Sequence, residues 1–185
     1  MKKANLFLFL VLCLFTIKLN AQNTYSMPSQ VDKATLGLGM GLDYGGFGGN
    51  LLVYPQKNVG VFLGVGYAMI GVGYNVGTKL RLLPKRESGI SPFFVAMYGY
   101  NAAIGISNAH ELDKFFYGVN LGIGFDTGIK PTKAGYWSFA LLLPFRSPDV
   151  DIYMDYLKHE KGAEFKNELL PFGISIGYRF ILDRL

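Results

Sequence analysis

From residue 35 to 44 every even position is bulky and apolar: Leu36, Leu38, Met40, Leu42 and Tyr44. The odd positions are Thr35, Gly37, Gly39, Gly41 and Asp43. A period of two is the mark of a β-strand, whose side chains alternate between its faces. The division recurs in 59–69, where Val59, Val61, Leu63, Val65, Tyr67 and Met69 alternate with Gly60, Phe62, Gly64, Gly66 and Ala68. It recurs in 71–82, where Gly71, Gly73, Asn75, Gly77, Lys79 and Arg81 share the minority face. It recurs again in 115–126, whose minority face carries Phe116, Gly118, Asn120, Gly122, Gly124 and Asp126, and in 170–182, with Pro171, Gly173, Ser175, Gly177, Arg179 and Ile181. Three less regular segments complete a set of eight strands. They are 49–55; 92–106, with Phe94, Ala96, Tyr98, Tyr100, Ala102, Ile104 and Ile106 on one face and Asn101 on the other; and 136–145, with Trp137, Phe139, Leu141, Leu143 and Phe145 on one face. The connection at Ile70 is too short as drawn, so strands three and four must fray into a turn. Residues 146–169 are long enough to hide a further hairpin, which leaves ten strands as the alternative.

Eight alternating strands can close with the bulky face inward, as a soluble barrel, or outward, as a membrane barrel. The minority face decides. Water does not require glycine on an exposed strand face, where Lys, Glu or Thr would serve and favour the strand more. A narrow eight-stranded interior does favour small residues. The glycine-rich face is therefore expected to line the lumen and the bulky face to meet lipid. In hydrocarbon every backbone N–H and C=O needs a partner within the protein, which only a closed sheet provides. The lengths fit the roughly 9–11 residues of a tilted membrane strand. Aromatic residues fall near strand ends. Tyr44, Tyr67, Tyr74, Tyr100, Tyr117 and Phe145 are expected at one interface, and Tyr54, Phe93, Phe125, Trp137, Tyr178 and Phe180 at the other.

The first 21 residues read as a cleavable signal peptide. Lys2 and Lys3 precede an apolar run from Ala4 to Ile17, which Lys18 interrupts short of a spanning helix. Ala21 is the expected last residue before the cut, although Leu19 occupies a position where a small residue is preferred. Residues 22–34 then form a periplasmic N-terminal segment and 35–185 the barrel. Cys13, the single cysteine, lies inside the leader in poor lipidation context, so the mature chain would hold no disulfide. Removing the leader's three lysines lowers the formal charge from +5 to +2, which leaves little support for nucleic-acid binding.

The segment Gly173-Ile174-Ser175-Ile176-Gly177-Tyr178-Arg179-Phe180 resembles the terminal strand of small bacterial outer-membrane β-barrels, the class of the OmpA transmembrane domain and OmpX. The resemblance covers about residues 35–182. It implies insertion by barrel-assembly machinery that reads this strand at Phe180 or Leu182, residence among outer-membrane lipid and lipopolysaccharide, and a monomer.

The inward positions include Asp43, Lys79, Arg81, Asp126 and Arg179, expected to form an ion-paired cluster that plugs the lumen. The competing reading of the same cluster is a gate or ion path, which would make the chain a small pore or transporter for ions or hydrophobic solutes. Ser107, His110 and Glu111 share a loop and contain the residue types of a hydrolase triad, as in a lipid A-modifying enzyme. Loop spacing shows neither hydrogen-bond reach nor an oriented base, so no enzyme is expected. Asp149, Asp151, Asp155 and His159-Glu160 lack the full spacing of a calcium loop, and Lys158 and Lys161 stand close by. No cofactor or metal is expected. Val150 to Lys158 predicts a short amphipathic helix that caps the barrel mouth or meets a partner. Gly37 to Leu42 alternates within a strand, which excludes a nucleotide-binding turn. The chain is thus expected to be an all-β, eight-stranded antiparallel transmembrane barrel with a structural or surface-interaction role in the cell outer membrane.

Overall fold

The computed structural model describes residues 32–82, 89–106, 109–129, 133–161 and 169–182. The expected leader at 1–21, most of the expected periplasmic segment at 22–34 and Ser107 lie outside the described residues. Eight antiparallel strands close into one barrel in sequential order: β1 (Ala34–Gly41), β2 (Gly46–Val53), β3 (Val59–Tyr67), β4 (Val72–Arg81), β5 (Ile90–Ile104), β6 (Lys114–Thr127), β7 (Gly135–Pro144) and β8 (Gly173–Ile181). The pairing of Thr35 with Ile181 and of Met40 with Ile176 joins β8 to β1, so no strand is left for a wider barrel among the described residues. The helix α1 (Asp149–Lys161) occupies the β7–β8 connection where a hairpin would have been needed. Ser147-Pro148-Asp149 starts it: the Ser147 carbonyl accepts from Val150 N–H at 3.0 Å, and Ser147 Oγ accepts from Asp149 N–H at 3.2 Å.

The bulky face points outward. Leu36, Leu38, Leu51, Val61, Leu63, Val76, Leu121, Ile123 and Leu141 are all exposed on the barrel wall. The inner face is less uniform than a glycine lining. Leu52, Tyr54, Phe62, Phe93, Val95, Met97, Ala140 and Leu142 form an apolar cluster inside the barrel. Cross-strand pairing explains how they fit. Phe93 of β5 lies opposite Gly124 of β6, and Val95 opposite Gly122, so each large side chain fills the space its partner lacks. A Cβ at Gly124 would collide with the Phe93 ring. The lumen is therefore filled by apolar side chains in addition to the expected polar and charged plug.

The first strand ends earlier than its alternation predicts. Leu42–Tyr44 form a 3-10 turn that folds into the barrel instead of continuing β1 over the rim. Gly45 closes it at φ 72°, a left-handed conformation that glycine adopts without steric cost. A Cβ at Gly64 would strike the Asp43 carbonyl, and one at Gly177 would strike the Tyr44 ring. Part of the glycine face is thus a socket for the β1–β2 connection.

Three residues expected at the lipid interfaces are inside: Tyr44 in this turn, and Tyr54 and Phe93 in the apolar cluster. Tyr100, a fourth, is buried as well, with its ring beside Gly73 and 5.7 Å from that of Phe115. Tyr67, Tyr74, Tyr117 and Phe145 remain exposed at the helix end, and Phe125, Trp137 and Phe180 at the opposite end. A bulge between Tyr100 and Ala102 also changes the face of β5, so Ala102 and Ile104 turn inward, not outward with Tyr98. Beyond the bulge β5 and β6 rise above the other strands, and Ala102, Ile104 and Phe116 pack on Val150 and Leu157 of α1.

Replacing Gly177 with Ala is expected to destabilise the barrel by about 1–3 kcal/mol through overpacking. Much of that loss should vanish in a Tyr44→Ala background, because the clash partner is gone. Urea unfolding followed by the fluorescence of Trp137, the only tryptophan, measures both; additive losses would contradict the inward turn.

Candidate functional site

The buried charges fall into two groups of direct contacts, one around Lys79, Arg81 and Asp126 and one around Arg179 and Asp43. The first group is built on the last residues of β4. Inward alternation places Lys79 and Arg81 on the same face, two residues apart. Asp126 near the end of β6 meets both: its Oδ1 lies 2.7 Å from Lys79 Nζ and its Oδ2 3.2 Å from Arg81 Nη2. Arg81 also holds Asp32 in a two-pronged contact, with Nη1 donating to Oδ1 at 3.1 Å and Nη2 to Oδ2. Tyr136 OH accepts from Arg81 Nη2 at 3.1 Å and donates to Asp32 Oδ2 at 3.1 Å. Ser138 Oγ accepts from Lys79 Nζ at 3.3 Å. The Lys79 ammonium stands 3.7 Å above the Phe93 ring centroid, and the Arg81 guanidinium 4.1 Å above that of Tyr54. Two cations therefore face two carboxylates in a buried layer, the condition under which charges are tolerated away from water.

The second group surrounds the inward turn. Arg179 of β8 donates from Nη1 to Asn50 Oδ1 at 3.0 Å and lies 3.8 Å from the Asp43 carboxylate. Its guanidinium stands 5.6 Å from the Tyr44 ring centroid. Asn50 Nδ2 donates to the Asp43 carbonyl, and Asn75 Nδ2 donates to the carbonyls of Leu42 at 2.8 Å and Tyr100 at 3.1 Å. The asparagine amides thus satisfy the carbonyls that the turn leaves without strand partners.

The five sequence-predicted positions accordingly divide: Lys79, Arg81 and Asp126 come together, and Asp43 and Arg179 pair separately. Sequence reasoning missed Asp32, which precedes β1 and lies off its alternation, so no periodic signal marks it. It also passed over Tyr136, Asn50 and Asn75, all of which stand on inward positions and could have been read as partners for buried charge.

At the helix end His110 begins a 3-10 turn, and its Nδ1 lies 3.1 Å from Asp113 Oδ2. Asp113 Oδ1 accepts the Ile106 N–H at 2.8 Å. That bond, with His110 beside it, holds the Asp113 carboxyl below the usual range. Glu111 is exposed. Asp149, Asp151, Asp155, His159 and Glu160 lie along α1, and among the described residues no three His, Cys, Asp or Glu side chains converge on a metal position. Arg146 ties the crown together, donating from Nη2 to the Leu170 carbonyl at 2.6 Å and from Nε to the Asn101 carbonyl at 3.4 Å.

Compared with known protein families, curated proteins and solved structures, the chain finds no match.

Asp126→Asn is expected to cost about 3–5 kcal/mol, because it leaves two buried cations facing one carboxylate. Adding Lys79→Met should recover part of that loss by removing the cation left unpaired. Equilibrium unfolding of the three variants checks this, and an Asp126→Asn protein as stable as the parent would contradict the buried network.

Proposed function

We propose that this protein is an outer-membrane β-barrel whose body serves as a closed scaffold and whose helix end serves for surface interaction. The observation that carries the reading is the inverted distribution of polarity. Large apolar residues cover the wall, while Lys79, Arg81, Asp126 and Arg179 are buried within it. Monomeric soluble proteins rarely expose contiguous apolar patches beyond a few hundred Å². A bilayer supplies the missing partner for such a wall, and a closed strand ladder leaves no unpaired edge inside it. Outer-membrane lipid and lipopolysaccharide are then the molecules in contact with the wall. The pattern Gly173 to Phe180 supports delivery by barrel-assembly machinery, after export directed by residues 1–21. An even strand count brings both ends of the barrel segment to one side, and the outer-membrane reading takes that side as periplasmic, with α1 on the outside.

The filled interior supports a scaffold over a pore. An ion would have to pass the Asp32–Arg81–Asp126–Lys79 layer, the cluster around Phe62 and Met97, and the inward turn at Leu42–Tyr44. Reconstituted in planar bilayers, the protein is expected to show no steady conductance, and in gels its unheated form should migrate apart from its heated form. Regular single-channel steps would overturn the closed scaffold in favour of a small pore. A detergent-free soluble monomer would overturn the membrane assignment itself.

A further inference from the structure

The two halves of the barrel end differently on the helix side. The β5–β8 half carries the raised β5–β6 hairpin, His110, Glu111, Asp113, Lys114, Arg146 and the charged helix α1. The β1–β4 half carries nothing comparable. Its first connection folds into the lumen, and its second is the four-residue turn 68–71, Ala-Met-Ile-Gly. Met69 at the tip is 90% exposed, and Phe47, Tyr67 and Val72 around it are exposed as well.

Three observations point to what covers this rim. No Asp, Glu, Lys, Arg or His occurs from residue 58 to residue 78, so β3, the tip and β4 as far as Thr78 carry none, and the two cations that end β4, Lys79 and Arg81, are buried inside the barrel. The turn answers backbone groups internally: Ala68 N–H donates to the Gly71 carbonyl at 2.8 Å and Ile70 N–H to the Ala68 carbonyl at 2.6 Å. The tip also continues the apolar wall formed by Val61, Leu63, Val65 and Tyr67 without a polar break. At about 3.3 Å per residue and a tilt near 45°, the climb from Val59 to the tip is on the order of 25 Å, the height of the apolar band of an outer-membrane barrel.

We propose that the β3–β4 turn seats in the uppermost acyl region of the outer leaflet, leaving the β5–β8 crown as the part of the protein displayed to solution. This rests on the outer-membrane reading and adds to it where a soluble partner can and cannot bind. On the β1–β4 side the rim is flush with lipid. On the other side α1 and the hairpin stand clear, with Asp149, Ile152, Asp155, Tyr156 and His159 exposed for contact.

The test uses the full chain with Cys13→Ser, carrying one new cysteine at a time, labelled with bimane and reconstituted in phospholipid vesicles. Leu63→Cys reports the wall, Met69→Cys the tip and His159→Cys the crown. Val72→Cys replaces Met69→Cys if the latter fails to show the folded gel band. The quenchers are a nitroxide near the carboxyl end of the lipid acyl chain and aqueous iodide. The tip is expected to lose emission to the acyl nitroxide as strongly as the wall and to be shielded from iodide, while the crown shows the reverse. Iodide quenching at the tip with lipid quenching at the wall would overturn the proposal and leave the membrane reading standing. A tip silent to both quenchers, with the wall still quenched by lipid, would mean that another chain covers it and would overturn the lipid assignment. Iodide quenching at position 63 without lipid quenching would remove the membrane reading and this proposal together.

Discussion

An eight-stranded cylinder encloses space for only a few side chains at each level, and it must be filled. This chain fills it by three devices. Large residues of one strand occupy the space left by glycines of the next, as Phe93 does beside Gly124 and Val95 beside Gly122. The β1–β2 connection turns inward and is received by Gly64 and Gly177. The remaining volume near the termini holds Lys79, Arg81, Asp126 and Asp32 in mutual contact. Once the interior is filled in this way, the other half of the alternation must lie outside, which puts Leu, Val, Ile and aromatic residues on the wall.

The charged layer shows how the pieces depend on one another. A single buried cation would be destabilising by several kcal/mol, and a guanidinium has more donors than one carboxylate can satisfy. Arg81 meets this at its two terminal nitrogens with two carboxylates and a phenol, and lies over two aromatic faces. Those partners come from the segment before β1, from β6, from β7 and from the residue following β2. The network therefore ties sequence-distant parts of the barrel at the end where the chain enters and leaves.

Much of this was legible in the sequence, for a physical reason. Alternation is a local property, so the positions of β3, β4, β6 and β8 and the outward direction of Leu63, Val76, Ile123 and Ile174 followed from counting by two. What was not legible depended on departures from the count. The Gly41-Leu42-Asp43-Tyr44 stretch continues the alternation perfectly, yet the chain leaves the sheet there, because Gly45 and the empty faces of Gly64 and Gly177 make an inward turn fit. The bulge at Asn101 shifts the face of Ala102 and Ile104, and nothing in the alternation before it announces the shift. Of the buried charges, those on strands were visible by parity, whereas Asp32 was not, since it contributes before its strand begins. Aromatic residues misled where a single level of the lumen needed a large group, as at Tyr54 and Phe93.

The same departures give the molecule its polarity from side to side. Folding the β1–β2 connection inward closes the lumen and at the same time removes a loop from the rim. The bulge at Asn101 does the opposite for β5 and β6: it turns Ala102 and Ile104 toward a common apolar centre with Phe116, which α1 covers through Val150 and Leu157. Asn101 then holds the Phe145 carbonyl at 2.9 Å, which ties the bulge to the end of β7, and Tyr153 OH donates to the Leu112 carbonyl at 2.7 Å, which ties the helix to the hairpin. The crown is consequently packed and hydrogen-bonded like a small domain, not draped as a loop. A packed, charged surface on one side and an uncharged low rim on the other are two consequences of where one chain leaves its period of two.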